Sequence, residues 1–338
     1  MTAETAAPVL VIGAGSWGTA LAILLAGNGN RVLLWGNEPA QLAELARSRQ
    51  NTAYLPGIAF PERLEIVADI GTALACTRDV LIAAPSTAFR GVVRAIAAQR
   101  PRDARLAWGT KGLEPGHGRL LHELIGEEYP GNPPLAVISG PTFAAEVARG
   151  LPTAVTVAAN DSGFAASLSR RLRNDRFRVY TSSDIVGVEI GGAVKNVLAI
   201  AAGIADGLGF GANTRAALVT RGLTEIMRLG VALGGRRETF MGLAGLGDLV
   251  LTCTDDQSRN RRLGLALGRG RSIAQASADI AQVIEGVETA REVAALARAR
   301  GIEMPIVTEV YRVLHEGKDP HAAVKALFGR EQKAEDFV

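Results

Sequence analysis

The 338-residue sequence predicts an α/β domain with a mostly parallel sheet, followed by an all-helical domain. Up to about residue 180, short apolar strands alternate with amphipathic helical patterns, and a glycine-rich turn joins the first strand to the first helix. After Ser183 the strand pattern ends and nearly every segment has helical periodicity. Strands that alternate with helices form a doubly wound sheet that is covered on both faces. We therefore expect a first domain at residues 1–185 and a second at residues 186–338.

The apolar periodicity of the first domain predicts its elements in order. The predicted strands are residues 8–13, 31–36, 64–67, 79–84, 105–109 and 135–139. The predicted helices are residues 16–28, 39–49, 86–99 and 118–127. Residues 153–158 and 176–180 have the pattern of two further strands, which we expect at an edge of the sheet.

Composition excludes several classes of protein. The chain is 48% hydrophobic and 21% charged, as in ordinary globular proteins, and its net charge of +3 includes no polybasic run that would indicate nucleic acid. Cys76 and Cys253 lie far apart with no metal-ligand spacing, so we expect neither a disulfide nor a bound metal. The first ten residues lack the pattern of a signal peptide, and no apolar run reaches the ~18 residues of a membrane span. We expect a cytoplasmic protein without membrane insertion.

The turn GAGSWG at residues 13–18 matches the pattern GxGxxG between a strand and a helix. Gly13 permits the tight turn, Gly15 lets the backbone approach a pyrophosphate, and Gly18 allows the helix to pack closely on the strand. Glycine-rich turns also occur for structural reasons alone, but this context is typical of a Rossmann-type dinucleotide site.

The residue at the end of the second strand helps to distinguish an NAD site from an NADP site. NAD-binding proteins usually carry Asp or Glu at this position, where the carboxylate bonds the ribose. The tip reads Trp35-Gly36-Asn37-Glu38, so the strand end itself has no carboxylate, and Glu38 comes slightly late. The sequence favours NADP(H), with NAD(H) also possible.

Further candidates follow the fifth and sixth strands. Lys111 stands in WGTKG, and residues 139–144 read SGPTFA, a loop that presents backbone N–H groups before a helix. Ligands bind at the carboxyl ends of strands in such sheets. The alternatives are a solvated loop lysine and an ordinary helix cap.

Lys195 interrupts the apolar segment EIGGAVKNVLAIAAG at residues 189–203. The apolar residues would cover most of the circumference of a helix, which predicts burial on several sides. Either the lysine side chain extends to the surface, or it is a buried functional cation with a partner.

A second cluster lies at residues 242–262, GLAGLGDLVLTCTDDQSRNRR. Ser258 is placed to cap a helix that runs to about Gly268, and Arg259 and Asn260 at its start suit a phosphate. The alternative is a basic surface, which Arg261 and Arg262 could simply extend. Asp248, in the apolar part, needs a partner, either in a functional site or in a structural ion pair.

Six segments carry a resemblance to a known family. They are GAGSWGTAL (13–21), GTKGLE (109–114), SGPTFAAEVA (139–148), the long segment 189–226, GLAGLGDLVLTCT with SRNRRLG (242–264), and VIEGVETA (283–290). Together they closely resemble the NAD(P)-dependent glycerol-3-phosphate dehydrogenases, in particular the bacterial enzymes that supply phospholipid synthesis. Related hydroxyacid dehydrogenases place their asparagine four residues after the lysine, whereas here Asn196 directly follows Lys195.

The resemblance implies roles for individual residues. Lys195 would be the acid/base, Lys111 would orient and polarise the substrate, Asp248 would stand between the two lysines, and Thr252 matches a position implicated in eukaryotic relatives. The implied substrate residues are Lys111, Gly140, Thr142, Lys195, Asn196, Asp248, Ser258, Arg259 and Asn260. The implied cofactor residues are Gly13, Gly15, Ser16, Trp17, Gly18, Asn37, Phe89, Lys111, Ala144, Arg259, Val283 and Glu285. Bacterial relatives often carry His or Arg where this chain has Asn37. A homodimer through the helical domain is common for this architecture.

The chemistry of the implied reaction agrees with a lysine acid. Reduction of dihydroxyacetone phosphate needs a hydride, a proton for the developing alkoxide and a counter-charge for the phosphate. The four histidines lie outside the matched segments, and burial beside a second cation lowers the pKa of a lysine towards neutrality.

Two other hypotheses remain open on the sequence. One is a dehydrogenase of the hydroxyacid or ketopantoate reductase type, whose carboxylate substrate would not need the Ser-Arg-Asn phosphate site. The other is a non-catalytic regulator that binds the nucleotide, which would need the glycine turn but not Lys111, Lys195 and Asp248 together.

Overall fold

The computed structural model describes residues 7–99, 103–280 and 282–331. The chain divides into two compact units, one of residues 1–110 and 121–185 and the other of residues 111–120 and 186–338. We call them the sheet unit and the helical unit. Residues 111–120, which we placed in the first domain, group with the helical unit, where the N–H of Gly116 donates to Glu292 Oε1 at 2.9 Å. Residues 1–6 lie outside the described ranges. They belong to the N-terminal segment that lacks the pattern of a signal peptide.

The sheet unit contains all eight predicted strands in one sheet. They are β1 Val9–Ile12, β2 Val32–Trp35, β3 Leu64–Ile66, β4 Asp79–Ile82, β5 Arg105–Trp108, β6 Leu135–Ser139, β7 Thr153–Ala159 and β8 Phe177–Ser182. Their order is β3-β2-β1-β4-β5-β6-β7-β8, and among these eight described strands only β6 and β7 pair antiparallel. The prediction of a mostly parallel sheet with two late strands at its edge is confirmed. The strand order reverses between β1 and β4, which is where ligands bind in doubly wound sheets.

Seven helices accompany the sheet within the described residues. They are α1 Ser16–Gly27, α2 Pro39–Ser48, α3 Ile70–Cys76, α4 Ser86–Gln99, α5 Leu121–Glu128, α6 Ala144–Ala148 and α7 Ser162–Leu172. The predicted start of α5 at residue 118 is wrong, because Gly116 and Gly118 adopt φ of +77° and +64° and cannot belong to a right-handed helix. Helices α3 and α7 were not predicted. Each begins after an aspartate cap, Asp69 and Asp161, whose carboxylates accept the N–H of Thr72 and Phe164.

Within its described residues the helical unit contains no strand, as predicted. Its helices are α8 Ile185–Gly207, α9 Ala212–Ala232, α10 Arg237–Phe240, α11 Asp248–Thr254, α12 Arg259–Gly268, α13 Ile273–Ile280, α14 Glu285–Ala299, α15 Pro305–His315 and α16 Pro320–Phe328, with a π-helical turn at Leu243–Gly247. In the part of the chain that the structure describes, α8 is the one helix long and apolar enough to cross a membrane. Because 94% of its apolar window is buried inside the structure, it has the character of a core helix.

Candidate active site

Lys195 is buried in the middle of α8, with only 5% of its surface exposed. Only 6% of the side chain is exposed, so the ammonium does not extend to the surface. It bonds Oδ1 of Asp248 and donates to Thr252 Oγ1 at 3.0 Å. Of the two interpretations of Lys195, a side chain that reaches the surface and a buried cation with a partner, the geometry supports the second.

Asp248 is the centre of the cluster and is fully buried at the start of α11. Its second oxygen, Oδ2, accepts from Lys111 Nζ at 2.7 Å, so the two lysines occupy the two oxygens of one carboxylate. One turn along α11, Thr252 donates its hydroxyl proton to the backbone carbonyl of Asp248 at 2.6 Å. The Thr252 oxygen is thereby oriented to accept from Lys195.

The pKa values of the two lysines shift in opposite directions. Burial lowers the pKa of Lys195 to about 7; Asp248 opposes the shift, and the charge of Lys111 adds to it. Burial also acts to lower the pKa of Lys111, but the Asp248 carboxylate outweighs it and raises that pKa above its usual value. Burial would raise the pKa of Asp248, yet the two ammonium groups hold it below its usual range. Lys195 is thus the group poised to exchange a proton near neutral pH.

Glycine packing explains why Asp248 reaches Lys195. A Cβ at Gly191 of α8 would lie 2.5 Å from the carbonyl oxygen of Ala244, in the π-helical turn that leads into α11. Only a glycine permits that approach, and the approach sets the first turn of α11 against α8. Gly191 thus admits a segment of the same unit.

The predicted cap of α12 is confirmed. Ser258 Oγ accepts the backbone N–H of Arg261 at 3.2 Å, and α12 runs over Arg259–Gly268. The first N–H groups of a helix lack intrahelical partners and favour an anion. The half-buried guanidinium of Arg259 donates to Gln282 Oε1 at 3.4 Å.

Asn260 has a defined orientation. Its Oδ1 accepts the backbone N–H of Gly286 at 2.9 Å. Because that contact uses the amide oxygen, the NH₂ group is the end that remains to donate to a ligand. A contact of this NH₂ group with a phosphate oxygen stays a prediction.

Two pairs of glycines bring α12 against α8, and the sequence analysis did not use them. They form GIADG at residues 203–207 and GLALG at residues 264–268. A Cβ at Gly264 would lie 2.9 Å from the Cα of Gly203, and one at Gly268 would lie 2.9 Å from the Cα of Gly207. The spacing of four residues puts each pair on one helix face, and this is the signal that could have predicted the contact.

Glu285 and Asn196 adjoin the same cluster. Asn196 is buried and its Nδ2 donates to Glu285 Oε2 at 3.4 Å. Burial raises the pKa of Glu285, against the opposing charges of Arg259, Lys111 and Lys195. The helical unit therefore brings together nine of the predicted residues: Lys111, Lys195, Asn196, Asp248, Thr252, Ser258, Arg259, Asn260 and Glu285. The side chain of Val283 is exposed, and its contact with a cofactor stays a prediction.

In the sheet unit, the glycine turn has the geometry that a pyrophosphate needs. Gly13 adopts φ of +119°, and a Cβ there would lie 2.6 Å from the carbonyl oxygen of Ala83 after β4. A Cβ at Gly18 would overlap the carbonyl oxygen of Gly13, so α1 packs closely on β1. Gly15 has no other atom within 4 Å of its Cβ position and no side chain caps α1 in the described chain. The turn thus leaves open space beside free N–H groups, which fits the dinucleotide.

Two tryptophans lie near this turn. The indole N–H of Trp17 is buried and has no hydrogen-bond partner among the described residues, and Gly109 packs directly on it. Phe89 is completely buried and packs edge-on against Trp108, with ring centroids 6.4 Å apart. Ser16 is the first residue of α1. The cofactor contacts of Ser16, Trp17 and Phe89 stay predictions.

The remaining predicted residues of the sheet unit follow three strands. Asn37 is exposed just after β2, where the Cβ position of Gly36 lies 3.0 Å from the Cβ of Ala14 in the glycine turn. Gly140, after β6, adopts φ of +157°, and Thr142 Oγ1 donates to its carbonyl at 3.2 Å. Ala144 begins α6. Their ligand contacts are untested predictions.

Metal ligation has no visible basis in the described part of the chain. No group of three or more His, Cys, Asp or Glu side chains there is arranged to hold an ion. Cys253 is buried beside the lysine cluster, and burial raises its thiol pKa to about 12, so it stays protonated.

Comparisons with known proteins agree on one family over both units. Residues 8–165 match the family described as NAD-dependent glycerol-3-phosphate dehydrogenase N-terminus, and residues 184–325 match the corresponding C-terminus. The glycerol-3-phosphate dehydrogenase [NAD(P)+] of Nitrosococcus oceani is 57% identical over 96% of this chain and 95% of its own length. The enzyme of the same name from Shewanella amazonensis is 55% identical over 97% of each chain.

A solved structure is similar throughout. The crystal structure of glycerol-3-phosphate dehydrogenase from Coxiella burnetii is 52% identical, with a TM-score of 0.93 over 96% of this chain and 99% of that one. The similarity covers the sheet and the helices alike.

Proposed function

Because this chain belongs to the NAD-dependent glycerol-3-phosphate dehydrogenase family, we propose that it reduces dihydroxyacetone phosphate to sn-glycerol 3-phosphate with Lys195 as the proton donor. The chain is an NAD(P)-dependent oxidoreductase that acts on a small molecule. The observation that carries the proposed mechanism is the buried Lys195, which shares Asp248 with Lys111 and has a pKa of about 7.

Lys195 supplies the proton that the reaction needs. When bound, the nicotinamide cofactor supplies a hydride to the carbonyl carbon C2 of the substrate. Negative charge then develops on the carbonyl oxygen, and the Lys195 ammonium donates a proton to it. A pKa near the working pH serves both directions, since the neutral amine accepts the proton back during oxidation.

Lys111, Asp248 and Thr252 prepare Lys195 for this step. Asp248 pairs with both ammonium groups, and its negative charge offsets the repulsion between them. Thr252 Oγ1 accepts a hydrogen bond from the Lys195 ammonium at 3.0 Å, and this bond restricts the orientation of the ammonium group. Lys111, whose pKa is raised, remains charged and polarises the substrate carbonyl. A fixed cation at the developing oxyanion is typical of electrostatic catalysis.

The start of α12 binds the substrate phosphate. Arg259 offers a guanidinium fork, Asn260 offers its NH₂ group, and the helix end offers the backbone N–H groups that precede the capped N–H of Arg261. Asn196, next to Lys195, bonds the glycerol portion. Gly140 and Thr142 complete the proposed substrate set.

The glycine turn binds the dinucleotide through Gly13, Gly15 and Gly18 and the N–H groups of Ser16 and Trp17. Asn37 presents no carboxylate to the ribose, which supports NADP(H) over NAD(H) without excluding the latter. The proposed cofactor set also contains Phe89, Lys111, Ala144, Arg259, Val283 and Glu285.

The proposed setting is a cytoplasmic homodimer that makes glycerol 3-phosphate for phospholipid synthesis. The bacterial relatives, which share more than half of their residues with this chain, are named for an activity on glycerol 3-phosphate, and this supports a role in its metabolism. Size-exclusion chromatography with light scattering tests the dimer, since a monomer at micromolar concentration would contradict it.

The test of the function is the loss of absorbance at 340 nm with dihydroxyacetone phosphate and NADPH or NADH. We expect turnover by the wild type and a fall in kcat of about 10²-fold or more for Lys195→Met, the scale that general acid catalysis supplies. Lys325→Met, at an exposed lysine of α16, is the control and should keep full activity. Cofactor binding without turnover by the wild type would instead support the non-catalytic regulator.

A further inference from the structure

Arg261 is buried, although the sequence allowed it to extend a basic surface. Only 7% of it is exposed, while its neighbour Arg262 is exposed to solvent. A buried guanidinium must find acceptors, and it has two here. Its NH1 donates to Asp206 Oδ2 at 2.5 Å and its Nε donates to Asp256 Oδ1 at 2.9 Å.

Asp206 connects three helices, α8, α9 and α12, through its hydrogen bonds. It lies in the last turn of α8, and its Oδ2 also accepts from Arg215 of α9 at 2.8 Å. The side chain of Asp206 is nine-tenths buried. Two arginines and two aspartates therefore form a charge-balanced network, in which Asp256 is the exposed member. Arg261 connects the start of α12 to the end of α8 through this network.

The network lies directly beside the residues proposed for the phosphate. Arg259, Asn260 and Arg261 are the first three residues of α12, and the N–H of Arg261 is the one that Ser258 caps. The Arg261 carbonyl also contacts the Cβ position of Gly203 on α8. A shift of the Arg261 side chain would therefore move the turn that carries Arg259 and Asn260.

We propose that Arg261, held by Asp206 and Asp256, is a positioning residue for the substrate phosphate. It does not touch the phosphate; it fixes the position of Arg259, of the Asn260 amide and of the free N–H groups of α12. This inference rests on the proposed function, which places the phosphate at the start of α12. Displacements of about 1 Å cost up to about 10²-fold in rate, so an anchor one residue away from a ligand matters.

The test compares Arg261→Lys with Arg262→Lys, which makes the same change at the exposed neighbour. Lysine keeps the charge but cannot bond two carboxylates in the geometry of a guanidinium. We measure KM for dihydroxyacetone phosphate, KM for NADPH, kcat, and the competitive inhibition constant of inorganic phosphate. For Arg261→Lys we expect the KM of the substrate and the phosphate constant to rise together, on the order of 10- to 100-fold, with the KM of NADPH unchanged. Arg262→Lys should match the wild type.

Asp206→Asn provides a second variant in case Arg261→Lys does not fold. It keeps the shape of the side chain and one acceptor oxygen, so we expect a rise in the same two constants by a smaller factor. An unchanged phosphate constant in a folded variant, or a fall in kcat with both constants unchanged, would overturn the inference.

Arg259→Ala separates this inference from the proposed function. If Arg259→Ala leaves the phosphate constant unchanged, the phosphate site itself is misplaced and the proposed function needs revision. If Arg259→Ala raises that constant and Arg261→Lys does not, only the positioning role is wrong.

Discussion

Lys111 and Lys195 bond opposite oxygens of the same carboxylate, that of Asp248, in a part of the helical unit where all three side chains are largely buried. Two cations and one anion give the cluster a net positive charge. Burial and the second cation lower the pKa of Lys195 to about 7, and this single arrangement underlies the first three predictions.

The rate of reduction should depend on the protonation of Lys195. Because the acid form donates the proton, we expect kcat/KM for dihydroxyacetone phosphate to fall as the pH rises through about 7. Oxidation of glycerol 3-phosphate needs the neutral amine, so its kcat/KM should rise over the same range. Initial rates in both directions between pH 5.5 and about 9 provide the measurement. Profiles that move in the same direction would contradict the role of Lys195.

Stability should depend on pH through the same group. The pKa of Lys195 is about 7 in the folded protein and 10.5 in the unfolded chain. Between these values the unfolded state binds more protons, so the free energy of unfolding should rise with pH. Lys195→Met should lack this contribution. Urea unfolding of both proteins at several pH values in this window checks it, and parallel curves would count against a depressed pKa.

Asp248→Asn should be more damaging than any other isosteric change at this site. Asparagine keeps the shape but leaves two ammonium groups without a counter-charge, and breaking a buried pair costs about 3–5 kcal/mol. Activity should fall with stability, measured by kcat/KM and by the midpoint of thermal unfolding. Asp279→Asn, which removes an exposed partner of Arg271, is the control and should change neither quantity measurably.

Asn37→Asp should change the cofactor preference. The new carboxylate would bond a ribose hydroxyl of NADH and repel the 2′-phosphate of NADPH. Close like charges cost several kcal/mol, so we expect kcat/KM for NADPH to fall by about tenfold or more relative to NADH. Asn213→Asp, at an exposed residue of α9, makes the same charge change elsewhere. An equal effect of the two variants would mean that Asn37 does not lie beside the ribose.

Gly264→Ala should destabilise the protein although alanine favours helices. Its Cβ would lie 2.8 Å from the backbone nitrogen of Ile204 and would push α12 away from α8. Overpacking of this kind costs about 1–3 kcal/mol. Gly91→Ala, in the exposed middle of α4 with open space around its Cβ position, should instead stabilise by up to about 1 kcal/mol. Denaturant unfolding distinguishes the two signs.

Local pattern was enough to predict most of the elements. Strands β1 and β2 are continuous apolar runs, and the cap at Ser258 could be identified from its neighbours along the chain. Helices α3 and α7 were not predicted, although their aspartate caps were visible in the sequence. The start of α5 was misplaced because a left-handed glycine at residue 118 leaves no trace in periodicity.

The sequence by itself determined the fold class, the glycine turn and the residue types of the site, since these depend on neighbours a few positions apart. The tertiary structure decided which residues meet. Lys111 and Asp248 are 137 positions apart, and Lys195 and Asp248 are 53 apart. Whether Arg261 is buried depends on Asp206, 55 positions away on another helix. The close approach of Ala244 to Gly191 brings Asp248 to Lys195, and the paired glycines bring α12 to α8. The burial that follows lowers the pKa of Lys195.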